Sequence, residues 1–120
     1  MTKTVLVAED DEFLIEMYQL NLEQLGIDVQ LVQNGKEAID LIDHSQPDLL
    51  VLDLLMPQID GFGVLEHIRT KKYQFPIVVL SNLNEEADEK RCLELGVQEY
   101  FVKSDMELDD LIAKVKEYMS

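Results

Sequence analysis

A short apolar run followed by a stretch with helical apolar spacing recurs five times in these 120 residues, with no linker, repeat or low-complexity stretch between. That alternation calls for a parallel sheet covered by helices on both faces. The segment Thr4 to Ala8 is β-branched and apolar, as a strand buried on both faces requires. A helix follows from Asp11 or Glu12, with Leu14, Met17, Tyr18 and Leu25 on its stripe, Phe13 and Leu22 widening it, and Gly26 at its end. Ile27 to Val32 alternates with polar residues and reads as a strand near a sheet edge. After the Asn34-Gly35 turn, Ala38, Ile39 and Ile42 stripe a short helix that ends before Pro47.

The central strand is the run between Asp48 and Asp53, Leu-Leu-Val-Leu, which is apolar throughout and stops abruptly at a carboxylate. A helix from about Gly61 carries Phe62, Leu65 and Ile68. Ile77 to Leu80 is the fourth strand, a charged helix covers roughly Glu85 to Leu95, and Val97 to Val102 is the fifth strand. In the last helix Leu108, Leu111, Ile112, Val115 and Met119 fall at spacings of 3, 4, 7 and 11.

Right-handed crossovers narrow the topology to a doubly wound, five-stranded parallel sheet with five helices. The flavodoxin-like order 2-1-3-4-5 places its ligand crevice between strands 1 and 3. Those strands end in Glu9-Asp10 and in Asp53, while Ser81 and Lys103 end strands 4 and 5 on the same edge. Polar groups from four strands converge there, and buried carboxylates need a charged partner or a job.

Composition removes several functions. With 25 acidic and 10 basic residues the formal charge is -15, which opposes binding of nucleic acid or anionic membranes by this chain alone. One cysteine, Cys92, excludes an internal disulfide and suits a reducing, cytoplasmic setting. Apolar stretches fall short of membrane-spanning length, and the start leads into a strand rather than a secretion signal. The whole chain, 1–120, reads as one domain without an output domain.

The motifs Val-Ala-Glu9-Asp10-Asp11, Leu-Asp53-Leu-Leu-Met-Pro57 with Asp60-Gly61, Val-Leu-Ser81-Asn82 and Tyr100-Phe-Val-Lys103 together resemble a receiver domain of a two-component response regulator, similar to receiver-only chemotaxis regulators. Phosphoryl transfer onto a carboxylate needs a nucleophile, a divalent cation and positive charge near the equatorial oxygens. The resemblance implies that Asp53 is the acceptor, supplied by a histidine kinase or histidine phosphotransfer protein. It implies Mg²⁺, with Mn²⁺ able to substitute, bound by Asp10, Asp53 and the Leu55 backbone carbonyl, with Glu9 reached through water. Lys103 would pair with Asp53 and later with the phosphoryl group, and Ser81 would bond another of its oxygens. Ser81 and Tyr100 would form the switch, acting on a partner surface of the fourth helix, fifth strand and fifth helix. Leu55 and Leu83, apolar residues two positions after Asp53 and Ser81, would tune the lifetime of the phosphorylated form.

Several other residues suit plainer roles. Asp11 suits a helix cap, Met56-Pro57 and Asp60-Gly61 suit loop shape, Cys92 suits a small core residue, and His44 and His67 suit solvated positions. The family usually has Pro after its lysine, joined by a cis bond. Ser104 stands here, for which a cis bond costs roughly 2.5–4 kcal/mol, so the aim of Lys103 is the open question. Two rival activities fit less well. The common Asp-based phosphatases place an acid where Leu55 stands, and a flavin phosphate would be repelled by Glu9-Asp10-Asp11. A receiver-like scaffold that is never phosphorylated has no need of the full acid, serine and lysine set.

Overall fold

The structure is a computed structural model, and it describes residues 2–83 and 85–120. Elements alternate along the chain as β1 (Thr4–Ala8), α1 (Glu12–Glu23), β2 (Asp28–Val32), α2 (Gly35–His44), β3 (Leu49–Leu52), α3 (Gly61–Lys71), β4 (Ile77–Ser81), α4 (Glu86–Glu94), β5 (Glu99–Val102) and α5 (Leu108–Met119). A 3-10 turn, Lys103–Asp105, joins β5 to the last helix. All strand pairs are parallel and the order is β2-β1-β3-β4-β5, as expected from the alternation.

Alternate residues of the central strands feed two cores. Leu6, Ala8, Leu50, Leu52, Ile77 and Val79 pack toward α2, α3 and α4, joined by Ala38, Ile42, Val64, Leu65 and Cys92. Val5, Val7, Leu49, Val51, Val78 and Leu80 pack on the other face against Tyr18, Leu22, Leu111 and Val115 of α1 and α5. That two-sided burial explains why β1, β3 and β4 are apolar throughout. β2 lies at the edge, and its exposed Asp28 fits that place.

Local chemistry sets the helix starts. Asp11 caps α1 by accepting from Phe13 N and Leu14 N, Asn34 caps α2 through Glu37 N, and Asp60 caps α3 through Gly63 N. Three sequence expectations need correction. Phe13 reads from its spacing as widening the stripe of α1, but it is 67% exposed, because the stripe centres on Tyr18 and Leu22. β5 is shorter than Val97–Val102, although Val97 itself is buried. His67 is not simply solvated: its Nε2 lies 2.8 Å from Asp43 Oδ1, which also accepts from the Tyr73 hydroxyl at 2.7 Å. Asn84, just before the charged helix read from Glu85, lies outside the described residues.

Candidate functional site

Four strand ends build the site. The Glu9 amide donates to the Val32 carbonyl at 3.0 Å, and the Asp53 amide donates to the Ala8 carbonyl at 3.0 Å, so the ladder continues one residue past β1 and β3. This carries the Glu9 and Asp53 side chains to the same end of the sheet, where they are 2% and 6% exposed. Asp10, between Glu9 and the α1 cap, is exposed. One carboxylate oxygen from each of Glu9, Asp10 and Asp53 lies within 4.8 Å of the others.

Lys103, at the end of β5, reaches across the crevice. Its Nζ is 2.6 Å from Glu9 Oε1 and 2.9 Å from Asp53 Oδ2. No peptide bond among the described residues is cis, so the Lys103-Ser104 bond is trans, and the lysine nevertheless meets Asp53. Its second partner, Glu9, was not anticipated. The remaining oxygens are tied locally: the Leu55 amide donates to Asp53 Oδ1 at 3.1 Å, and the Asp11 amide donates to Glu9 Oε2 at 3.1 Å. The Leu55 side chain itself points outward, 53% exposed.

Burial is the main reason the Glu9 carboxyl sits above its ordinary value. The negative charge of Asp53 adds to this, while the hydrogen bond from Lys103 works against it. Burial also opposes the charge of Lys103, but hydrogen bonds to Glu9 and Asp53 outweigh it and hold the ammonium above the usual lysine value. Three carboxyl groups face a single lysine here, so acidic oxygens outnumber the positive charge. Hard oxygen donors with surplus negative charge are the donor set for Mg²⁺, so the residues present fit that ion.

Ser81, at the end of β4, is fully buried, and its Oγ accepts from the Leu83 amide at 3.3 Å. The Leu83 carbonyl in turn accepts from the Tyr100 hydroxyl. Tyr100 is half-buried and packs against the core beneath α4 rather than outward. Burial pushes its hydroxyl up to about 12. Ser81, Leu83 and Tyr100 therefore form one hydrogen-bonded chain from the acid pocket to the loop that precedes α4.

The sheet order and this pocket of acids facing one lysine define a class, the phospho-acceptor signalling domains of two-component systems. The sequence matches the response regulator receiver domain over residues 5–116, and the chain belongs to that family. It is 40% identical over 103 residues to the alkaline phosphatase synthesis transcriptional regulatory protein PhoP of Bacillus subtilis (strain 168). That match covers 86% of this chain and 43% of PhoP, so the chain spans less than half the length of this curated relative. Among solved structures, it is similar to the Francisella response regulator 1452 receiver domain, with 31% identity, 98% and 97% of the two chains covered and a TM-score of 0.89. The non-phosphorylated HemR receiver domain from Leptospira biflexa gives 30% identity, 99% and 95% coverage and a TM-score of 0.89. No helix among the described residues is long and apolar enough to cross a membrane.

Proposed function

We propose that this chain is a phosphorylation-activated receiver that takes a phosphoryl group from a phosphohistidine donor onto Asp53. The donor would be a histidine kinase or a histidine phosphotransfer protein acting in the cytoplasm. The observation that carries the reading is Lys103 Nζ held between Asp53 and Glu9, with Asp10 beside them.

An Asp53 carboxylate oxygen attacks the donor phosphorus, the P–N bond breaks, and its electron pair leaves with the donor imidazole. Asp10, Asp53 and the Leu55 carbonyl would hold Mg²⁺, or Mn²⁺ in its place, with Glu9 reached through water, and the ion would supply charge neutralisation for the transferring group. Lys103, already hydrogen-bonded to Asp53, keeps its positive charge at the attacking carboxylate and then pairs with the phosphoryl oxygen. The Ser81 hydroxyl exchanges the Leu83 amide for another phosphoryl oxygen. That exchange alters the Ser81–Leu83–Tyr100 chain, and with it a partner surface on α4, β5 and α5. The domain catalyses its own modification and does not turn over an external substrate.

The test is incubation with Mg²⁺ and acetyl phosphate followed by intact-mass analysis. Wild type is expected to gain one labile phosphoryl group only with the metal, and Asp53→Asn none. Equal phosphorylation of Asp53→Asn would remove Asp53 from the role.

A further inference from the structure

Helix α4 sits on the sheet with little apolar anchorage: of its nine residues only Cys92 is buried. What joins it to α3 is a pair of arginines running in opposite directions. Arg91 of α4 places its guanidinium 4.2 Å from the centre of the Phe62 ring and donates to Glu66 Oε1 at 3.1 Å, both on α3. Arg69 of α3 donates to the Glu94 carbonyl at 3.0 Å, at the last residue of α4. One clamp grips the third quarter of the helix and the other its C-terminal end, where an arginine also complements the helix dipole. At the N-terminal end, Glu85 makes no side-chain cap among the described residues.

We propose that Arg91 and Arg69 are positioning residues for the phosphorylation reaction: they hold α4 in the arrangement that keeps the Ser81 hydroxyl on the Leu83 amide. The inference rests on the phospho-acceptor reading of Asp53. Leu83 is bonded at its amide by Ser81 and at its carbonyl by Tyr100, and Glu86, three residues on, begins α4. In this proposal a displacement of the helix is passed to Leu83, whose amide, donating to Ser81 Oγ, fixes the orientation the hydroxyl must leave to meet a phosphoryl oxygen. A buried stripe would fix α4 too firmly for this. Two solvent-facing arginine clamps, with Arg91 and Glu66 both more than half exposed, hold it weakly enough to release. The Phe62 ring is buried, so the cation stacked on it has a fixed seat rather than a floating surface partner.

The experiment is a beryllofluoride titration in Mg²⁺, followed by NMR, of wild type, R91A, R91K, E66A and R69A, with thermal melting of each. Releasing the clamp is expected to tighten beryllofluoride binding about two- to fivefold in R91A, E66A and R69A. R91K, which keeps a cation able to meet both Phe62 and Glu66, stays near wild type. A merely structural role would lower melting temperature and affinity together, whereas the proposal requires affinity to rise while melting temperature falls or holds. E66A leaves the sequence of α4 untouched and answers the question if R91A does not fold. Unchanged or weakened binding in both E66A and R69A overturns the proposal. Failure of wild type itself to bind beryllofluoride is a different result, and it overturns the Asp53 reading beneath it.

Discussion

Among the described residues Lys103 is the one cation paired in a pocket with three carboxylates, and its loss is felt before any phosphoryl group arrives. Removing one partner of a mostly buried ion pair leaves the other charge unpaired, which costs about 3 kcal/mol. Lys103→Ala is therefore expected to lower the urea midpoint by a corresponding amount in metal-free buffer, and added Mg²⁺ to restore part of it. Lifetime is a second matter of single residues. Leu55 and Leu83 have no polar group to orient an attacking water, so Leu55→Asn and Leu83→Glu are expected to speed loss of the phosphoryl group. A tenfold effect corresponds to about 1.4 kcal/mol in the barrier, and decay of the modified mass over time measures it. The acids themselves were legible in the sequence, because a strand apolar on both faces that stops at a carboxylate places that carboxylate at the sheet edge. The Glu9–Lys103 pair was not. It spans from β1 to β5 across β3 and β4, and spacing along the chain does not encode that reach.

At the level of elements, two connections hold helices in register with the site. Gly61 opens α3 against β3, and a Cβ placed there would lie 2.6 Å from Leu54 Cα and 2.7 Å from the Asp53 carbonyl oxygen. Backbone cannot give way as a flexible side chain does. Gly61→Ala is expected to cost about 1–3 kcal/mol in denaturant unfolding and to weaken Mg²⁺ binding, since the loop after Asp53 must shift. The second connection staples α2 to α3 through Asp43. Hydrogen bonds from Tyr73 and then His67 hold its carboxyl below the ordinary value. A lowered value in the folded state means stabilisation that is present above the unfolded value and lost as pH falls through the folded one. Asp43→Asn should thus be less stable than wild type at pH 7, and the gap should close in acid below the carboxylate range. Chemical denaturation at both pH values checks the sign. This staple escaped sequence reading because His67 and Tyr73 stand 24 and 30 residues from Asp43 and meet it only once the crossovers are in place. The helices themselves were readable, as the match of α2 and α5 to their apolar stripes shows, while Phe13 misled because an aromatic near a stripe need not lie on it.

For the molecule as a whole, a formal charge of -15 opposes compaction, and the acid pocket concentrates that repulsion. Mg²⁺ and NaCl at equal ionic strength separate the two effects. Both screen the surface, but only the divalent ion gains from the pocket, by about 2.7 kcal/mol at a concentration one hundred times its dissociation constant. Thermal melting should rise further in Mg²⁺ than in NaCl for wild type, and Asp10→Asn should erase most of the difference. The reach of Lys103 has a last consequence in the cell, during synthesis. Asp53 and its lysine are 50 residues apart, so at roughly 5–20 residues per second the ribosome delivers the cation seconds after the carboxylate. Through that interval the nascent chain carries the acids without the lysine that pairs with them, and the pocket closes only when β5 has emerged and reached the sheet.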